Sequence, residues 1–230
     1  MQTVAIIPAR GGSKRIPGKN IKEFKGKPII AWSIDAALSS GCFDRVVVST
    51  DDPVIADIAR KYGAEVPFMR SKELSDDYTP TIPVVRDAVN QCIKTGQDID
   101  YVCCIYATAP FLMAATLGKA FDLLKDKKDI DFVFAGVRFS FPIWRSFGLT
   151  EEGECKMFWP ENELKRSQDL QAAYHDAGQF YFGTKKAFME NDGVFTARSH
   201  IIEFPSYLVQ DIDTIDDWER AEVLFDVIKR

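Results

Sequence analysis

Strand-length apolar runs alternate with helix-period segments along most of this 230-residue chain, and no other feature constrains its fold as strongly. Thr3 to Pro8 reads as a strand, stopped by the proline and a Gly11-Gly12 pair. Pro28 to Leu38 places proline in a first helical turn, followed by Ile29, Ile30, Ile34 and Leu38 at helical spacing. Arg45 to Thr50 is a β-branched strand, and Pro53 to Tyr62 a helix ended by Gly63. Thr81 to Ile93 and Ala115 to Lys125 read as helices; Asp100 to Tyr106, Phe132 to Val137 and Gln179 to Phe182 read as strands. Ile215 to Ile228 closes the chain as an amphipathic helix. The pattern predicts an α/β, Rossmann-like fold, with a mostly parallel central sheet, helices on both faces and ligands at the carboxyl ends of the strands.

Residues 1–230 are expected to form a single domain, since no repeats, low-complexity tracts or linkers interrupt them. The alternation lapses between 139 and 175, where Pro142, Trp144, Phe147, Phe158, Trp159 and Pro160 follow no period. Large aromatics mixed with charges suit a projecting arm that buries itself against a second subunit; a long surface loop is the plain alternative. No apolar run approaches the ~20 residues of a membrane span, and no long hydrophobic leader precedes the first strand. The five cysteines are odd in number and lack a CxxC spacing, so a reduced, cytoplasmic setting is expected. Two histidines are too few for a three-histidine zinc site.

Charge is unevenly placed. The chain carries −5 overall, yet Arg10 to Lys27 carries +6, leaving −11 for the remainder. General nucleic-acid binding is disfavoured, whereas a small polyanion suits one concentrated basic loop. That loop, Ala9-Arg10-Gly11-Gly12-Ser13-Lys14-Arg15-Ile16-Pro17-Gly18-Lys19-Asn20, directly follows the first strand. Its glycines permit close backbone approach to phosphate oxygens, and its cations neutralise charge that backbone dipoles cannot. The spacing is neither a Walker A loop nor a dinucleotide GxGxxG, and a solvated basic turn is the alternative. At the other end of the chain, Asp211 and Asp213 flank Ile212. In an extended segment both carboxylates share a face and suit Mg²⁺, while Ile212 turns to the core. Capping of the final helix by Asp213 or Thr214 competes with that role or coexists with it.

The segment from Ile6 to Asn20 closely resembles the opening motif of the CMP-sugar-acid synthetases, cytidylyltransferases that join CTP to a sugar acid. The likeness continues through Gly26-Lys27-Pro28, Ser49-Thr50-Asp51-Asp52, Phe68-Met69-Arg70, Glu73-Leu74-Ser75-Asp76-Asp77 and Asp211-Ile212-Asp213-Thr214. Tyr106-Ala107-Thr108-Ala109-Pro110-Phe111, where sialic acid synthetases carry Gln-Pro-Thr-Ser-Pro, together with Tyr174 to Tyr181, resembles the branch that acts on pseudaminic acid. The resemblance implies transfer of CMP from CTP to the anomeric hydroxyl of a nine-carbon sugar acid, with release of pyrophosphate. Sialic and legionaminic acids are the alternative acceptors.

By the same resemblance, Arg10 and Lys19 hold the triphosphate, and Asp211 is a candidate proton acceptor. Ala9, Gly11, Gly12, Ser13, Asn20, Arg70, Thr79 and Thr81 contact the nucleotide, and Asp211 with Asp213 holds Mg²⁺. Tyr106, Gln179 and Phe195 are implied for the sugar, and Arg166 for a dimer partner's site. Thr79-Pro80-Thr81 also reads as a helix start, Phe195 as a core aromatic, and His175 with Asp176 as structural. The remoter alternatives are a glycosyltransferase, since Asp211-Ile212-Asp213 is also a DxD motif, and a nucleotide-binding module without catalysis.

Overall fold

The computed structural model describes residues 1–228 other than Gln97 and Lys128, so Lys229 and Arg230 of the expected domain lie outside the described residues. One six-stranded sheet organises them. Its strands are β1 (Thr3–Pro8), β4 (Arg45–Ser49), β5 (Tyr101–Ile105), β6 (Phe132–Arg138), β9 (Tyr174–Thr184) and β10 (Ser199–Phe204), in the order β10-β6-β9-β5-β1-β4. The β1–β4, β1–β5 and β6–β10 pairs are parallel, while β9 runs antiparallel to both its neighbours. The mostly parallel sheet expected from the alternation is therefore correct, with β9 as the exception. Two-stranded ribbons, β2–β3 (Glu23–Phe24, Lys27–Pro28) and β7–β8 (Phe147–Leu149, Cys155–Met157), lie outside it.

Helices cover both faces. The core on one face joins α1 (Ile29–Ser40), α2 (Pro53–Lys61) and α4 (Ala114–Asp126) to the sheet through Ile7, Ile34, Ile55, Leu117 and Phe182. The core on the other joins α3 (Thr81–Lys94) and α5 (Lys185–Glu190) through Ile6, Val85, Phe132 and Phe188. Strands buried on both faces read as continuous apolar runs, which is why β1 and β5 stand out in the sequence. A third cluster seats α6 (Ile215–Ile228) against Phe24 and Ile29 through Trp218 and Phe225. These ring contacts are edge-on, with Phe24 5.4 Å from both Trp218 and Phe225.

The sequence pattern did not mark α5, β10, the small ribbons or the first half of β9. Tyr174 and His175, placed at the end of the arm, belong to β9. The rest of the arm consists of the β7–β8 hairpin and short 3₁₀ turns, with Phe141, Phe147, Phe158 and Leu164 exposed.

Strand order places the ligand edge. Neighbours of β1 are reached in opposite directions, β4 on one side and β5 on the other, so a crevice opens outside their carboxyl ends. The basic loop leaves β1 there, Thr50 to Asp52 leaves β4, and Tyr106 to Thr108 leaves β5. Because β9 is antiparallel, its first residues, rather than its last, reach the same edge.

Candidate active site

A cleft of about 490 Å³ occupies this edge, walled by Arg10, Ser13, Lys14, Arg15, Lys19 and Asn20 of the loop, by Arg70, Asp77, Thr79 and Thr81, and by Tyr106. The loop is fastened from below. Ala9 is buried and its N–H donates to the Ser49 carbonyl (2.9 Å), while the Asn20 side chain donates to the Arg10 carbonyl (2.9 Å). The Gly11 N–H donates to Asp51 Oδ1 (3.0 Å), and a Cβ at Gly11 would stand 2.6 Å from an Asp52 oxygen, so only glycine fits. The Ser13 N–H turns back to the Gly11 carbonyl (3.0 Å), leaving the Ser13 side chain, rather than these two amides, to face a ligand. Gly12 has open space where a Cβ would stand.

Loop cations meet two carboxylates. Arg10 Nη1 and Lys14 Nζ both reach Asp77 at 2.5 Å, and Arg15 Nη2 reaches Asp213 at 2.7 Å. Lys19 Nζ donates to the Ile212 carbonyl (2.6 Å) and lies 3.6 Å from Asp213, bringing the basic loop to the acidic segment. The pairs with Lys14 and Arg10 hold the Asp77 carboxyl below its ordinary range.

Ile212 is fully buried, as the shared-face argument for Asp211 and Asp213 requires. Capping falls to Thr214: its N–H donates to Asp217 Oδ2 (2.9 Å), and the Asp217 N–H donates to its hydroxyl (3.3 Å). This reciprocal cap leaves the Asp213 carboxylate free for the loop. Partial burial pushes the Asp211 carboxyl up, the Asp213 charge adds to that, and Lys19 opposes it. Two crowded carboxylates form a donor set that fits a hard divalent cation. Among the described residues no cluster of three or more His, Cys, Asp or Glu could hold a metal, so non-protein oxygens would have to complete the shell.

Arg70 is buried, and burial lowers its pKa. Its Nε donates to Ser75 (3.1 Å), and its N–H to the Thr50 carbonyl (2.8 Å). Its Nη2 has no hydrogen-bond partner, with Asp51 3.8 Å away, so the cleft wall carries a donor awaiting an acceptor.

The cytidylyltransferase family pattern matches residues 4–226. The chain belongs to that family. It is 49% identical over 227 residues to the pseudaminic acid cytidylyltransferase of Campylobacter jejuni, covering 99% of this chain and 97% of the relative. It is 33% identical over 231 residues to the CMP-N,N'-diacetyllegionaminic acid synthase of Legionella pneumophila, again covering 99% and 97%. A solved CMP:2-keto-3-deoxy-manno-octonic acid synthetase complexed with CTP superimposes with a TM-score of 0.73 at 15% identity, covering 98% of this chain and 99% of that one, which establishes a common fold.

In this cytidylyltransferase the cleft gathers Arg10, Ser13, Lys19, Asn20, Arg70, Thr79, Thr81 and Tyr106, as expected. Thr79-Pro80-Thr81 starts a helix, as read, since α3 begins at Thr81. Pro80 holds the N-cap position without a side-chain cap, and the Thr79 hydroxyl donates to Asp76 (2.7 Å). Gln179, Phe195 and Arg166 are not on the cleft wall. Gln179 is buried and donates to the Leu208 carbonyl (3.0 Å). Phe195 is 73% exposed, with its ring edge-on to Phe134 at 5.2 Å. Arg166 pairs with Asp169 (2.7 Å) out on the arm. His175 is exposed, and its Nδ1 meets the carbonyl of the adjacent Asp176 at 2.9 Å. Asp77, which pairs with both Arg10 and Lys14 on the cleft wall, is not distinguished in the sequence from the neighbouring Asp76.

Proposed function

We propose that the cleft binds CTP and transfers its CMP unit to the anomeric hydroxyl of pseudaminic acid, with related nine-carbon sugar acids as secondary acceptors. The observation that carries this reading is the meeting of the +6 loop with the Asp211-Ile212-Asp213 segment, through Ile212 and Asp213, beside a cleft holding an unsatisfied arginine donor. The 49% identity to a pseudaminic acid enzyme over nearly the whole chain supports that acceptor over sialic or legionaminic acid. Family membership favours a free nucleoside triphosphate over the nucleotide-sugar donor of a DxD glycosyltransferase.

In the reaction, the sugar's hydroxyl oxygen bonds to the α-phosphorus of CTP and gives up its proton, with Asp211 the candidate acceptor, while the bond to the bridging α–β oxygen breaks and pyrophosphate leaves. No covalent enzyme intermediate is required, so positioning and charge stabilisation dominate. Arg10, Lys19 and the Ser13 hydroxyl hold the triphosphate; Arg70, Thr79 and Thr81 hold the base and ribose; Tyr106 faces the acceptor sugar. Asp211 and Asp213 would hold Mg²⁺, which when bound would lower the pKa of a nearby hydroxyl and screen phosphate charge. Arg15 keeps Asp213 turned toward the loop. The exposed aromatics of 139–173 support a homodimer in which Arg166 reaches the other subunit's site. No helix among the described residues is long and apolar enough to cross a membrane, and a cytoplasmic location agrees with the five free cysteines.

Pyrophosphate release from CTP with pseudaminic, legionaminic, sialic and 3-deoxy-octulosonic acids, with and without a divalent chelator, tests this. Pseudaminic acid should give the highest kcat/KM, and chelation should stop turnover. Preference for another acid overturns the acceptor assignment, and turnover in chelator overturns the metal.

A further inference from the structure

Behind Tyr106 the cleft is backed by Asp176 and Tyr181, two polar residues that the reaction just described does not use. The register between β6 and β9 breaks at their centre, with Phe134 facing Tyr181 and Gly136 facing Asp176, so Ala177 to Phe180 bulge opposite Ala135. Gly178 turns in this bulge with φ +59°, and the Asp176 carboxylate folds back along it. Asp176 Oδ1 accepts the Gly178 N–H (2.8 Å), and Oδ2 accepts the Tyr181 hydroxyl. Tyr181 in turn lies 3.3 Å, oxygen to oxygen, from Tyr106, with the rings edge-on at 5.7 Å. A Cβ on Gly178 would stand 3.8 Å from the Tyr106 ring and 3.9 Å from the Asp211 carboxylate, so the bulge, the phenol and the acidic segment converge.

Counting protons along this hydrogen-bonded chain fixes its direction. A carboxylate can only accept, so the single Tyr181 proton goes to Asp176. The proton in the Tyr181–Tyr106 contact must then come from Tyr106, which leaves only acceptor capacity on the Tyr106 oxygen. We propose that Asp176 is a positioning residue: through Tyr181 it fixes Tyr106 as a hydrogen-bond acceptor, so that this side of the cleft selects a sugar acid presenting an O–H or N–H. Burial pushes both phenols up, keeping the two protons this chain requires.

The use of this acceptor rests on the sugar-acid reading above; the direction of the chain does not, and the two are tested separately. In ligand-free protein carrying ¹³Cζ-tyrosine, Asp176→Asn offers Tyr181 an amide donor, which reverses the chain. The Tyr106 and Tyr181 resonances should both move, and movement of Tyr181 alone overturns the relay. In pyrophosphate-release assays with CTP and pseudaminic acid, Asp176→Asn should raise the sugar KM about tenfold. The CTP KM should stay within about twofold. Tyr106→Phe should act similarly, and the double variant should be no worse than Tyr106→Phe alone; multiplying effects overturn the proposal. Tyr181→Phe keeps the ring and cuts the chain, so it should reproduce the Asp176→Asn effects even where Asp176→Asn fails to fold; an unchanged sugar KM overturns the role. If the wild type does not turn over pseudaminic acid, the acceptor assignment falls, while the resonances still decide the direction.

Discussion

Ion pairs at the two ends of the sheet use the same residue types in different arrangements. At the amino end, Asp131 before β6 holds Arg198 before β10 through two nitrogens, at 2.7 and 3.2 Å, and also accepts from Thr196 (2.9 Å). Glu65 likewise takes the Arg45 Nε with both oxygens, each at 2.9 Å, at the start of β4. At the carboxyl end one carboxylate serves two cations: Asp77 holds Arg10 and Lys14, and Asp213 holds Arg15 with Lys19 nearby. The amino-end pairs are bidentate and stitch strand entrances together. The carboxyl-end pairs leave their cations under-neutralised, so a ligand with several negative oxygens can take them over. The same chemistry serves structure where the partners are matched and function where they are not.

The sharpest way to break that contrast is to remove Lys19. Lys19→Ala should lower kcat/KM by about 10²–10³, comparable to losing one preorganised donor at developing charge, with the thermal midpoint nearly unchanged. Near-normal turnover in a folded variant would place Lys19 among the structural pairs and remove it from the mechanism.

Asp211 tests the acidic side. Asp211→Asn should abolish divalent-dependent turnover, yet the variant should be at least as stable as wild type at neutral pH without metal. The sign follows from the raised carboxyl of the folded state. Such a group contributes its full stability below about pH 3.8, the unfolded value, and loses it as pH rises through the folded value. Ionised Asp211 therefore costs stability at neutral pH, and asparagine removes that cost. Melting curves from pH 7 down to pH 4 should show the two proteins converging; a variant less stable than wild type at pH 7 would mean that Asp211 makes a structural bond.

Asp131→Asn probes the amino end, where the loss should be in stability alone, about 1 kcal/mol. Burial works against the Asp131 charge, but Arg198 and Thr196 outweigh it and hold the carboxyl below its ordinary value. Its contribution is thus present above about pH 3.8 and lost as pH falls through the lower folded value. Denaturant titrations should show the wild-type advantage at pH 7 shrinking in acid, with unchanged CTP kinetics. A change in CTP KM would deny the division between the two ends.

The carboxyl-end half of this division was legible in the residues themselves, while the amino-end pairs were not. β1, β4, β5 and α6 were visible because strands buried on both faces and helices with apolar residues at helical spacing carry periodic signals. The +6 loop and the Asp211-Ile212-Asp213 pair were visible because charge and spacing are local. What stayed hidden depended on pairing between distant segments. β9 runs antiparallel and carries a bulge, and neither its direction nor its register is written in its own alternation. Asp176 reads as one more charge beside His175 until the bulge turns it onto Tyr181. Phe195 and Gln179 do not line the cleft for the same reason: a residue type announces its chemistry, but only the path of the chain decides what it faces.

Asp77→Asn gives the smallest and most discriminating effect. Asp77 and the triphosphate are both negative and compete for Arg10 and Lys14, so removing the carboxylate should tighten CTP binding. The pairs are partly exposed, with Lys14 82% exposed, which keeps the gain small. Exposed pairs of this kind are weak, so the Kd should fall by no more than about fivefold, and salt should shrink the gain. Calorimetric titration of CTP at low and high ionic strength would measure it. Were Asp77 instead a structural partner of the kind found at the amino end, the variant would bind CTP more weakly, because Arg10 and Lys14 would lose the group that orients them. The sign of the change therefore decides whether the carboxyl-end pairs are placeholders for the ligand or part of the scaffold.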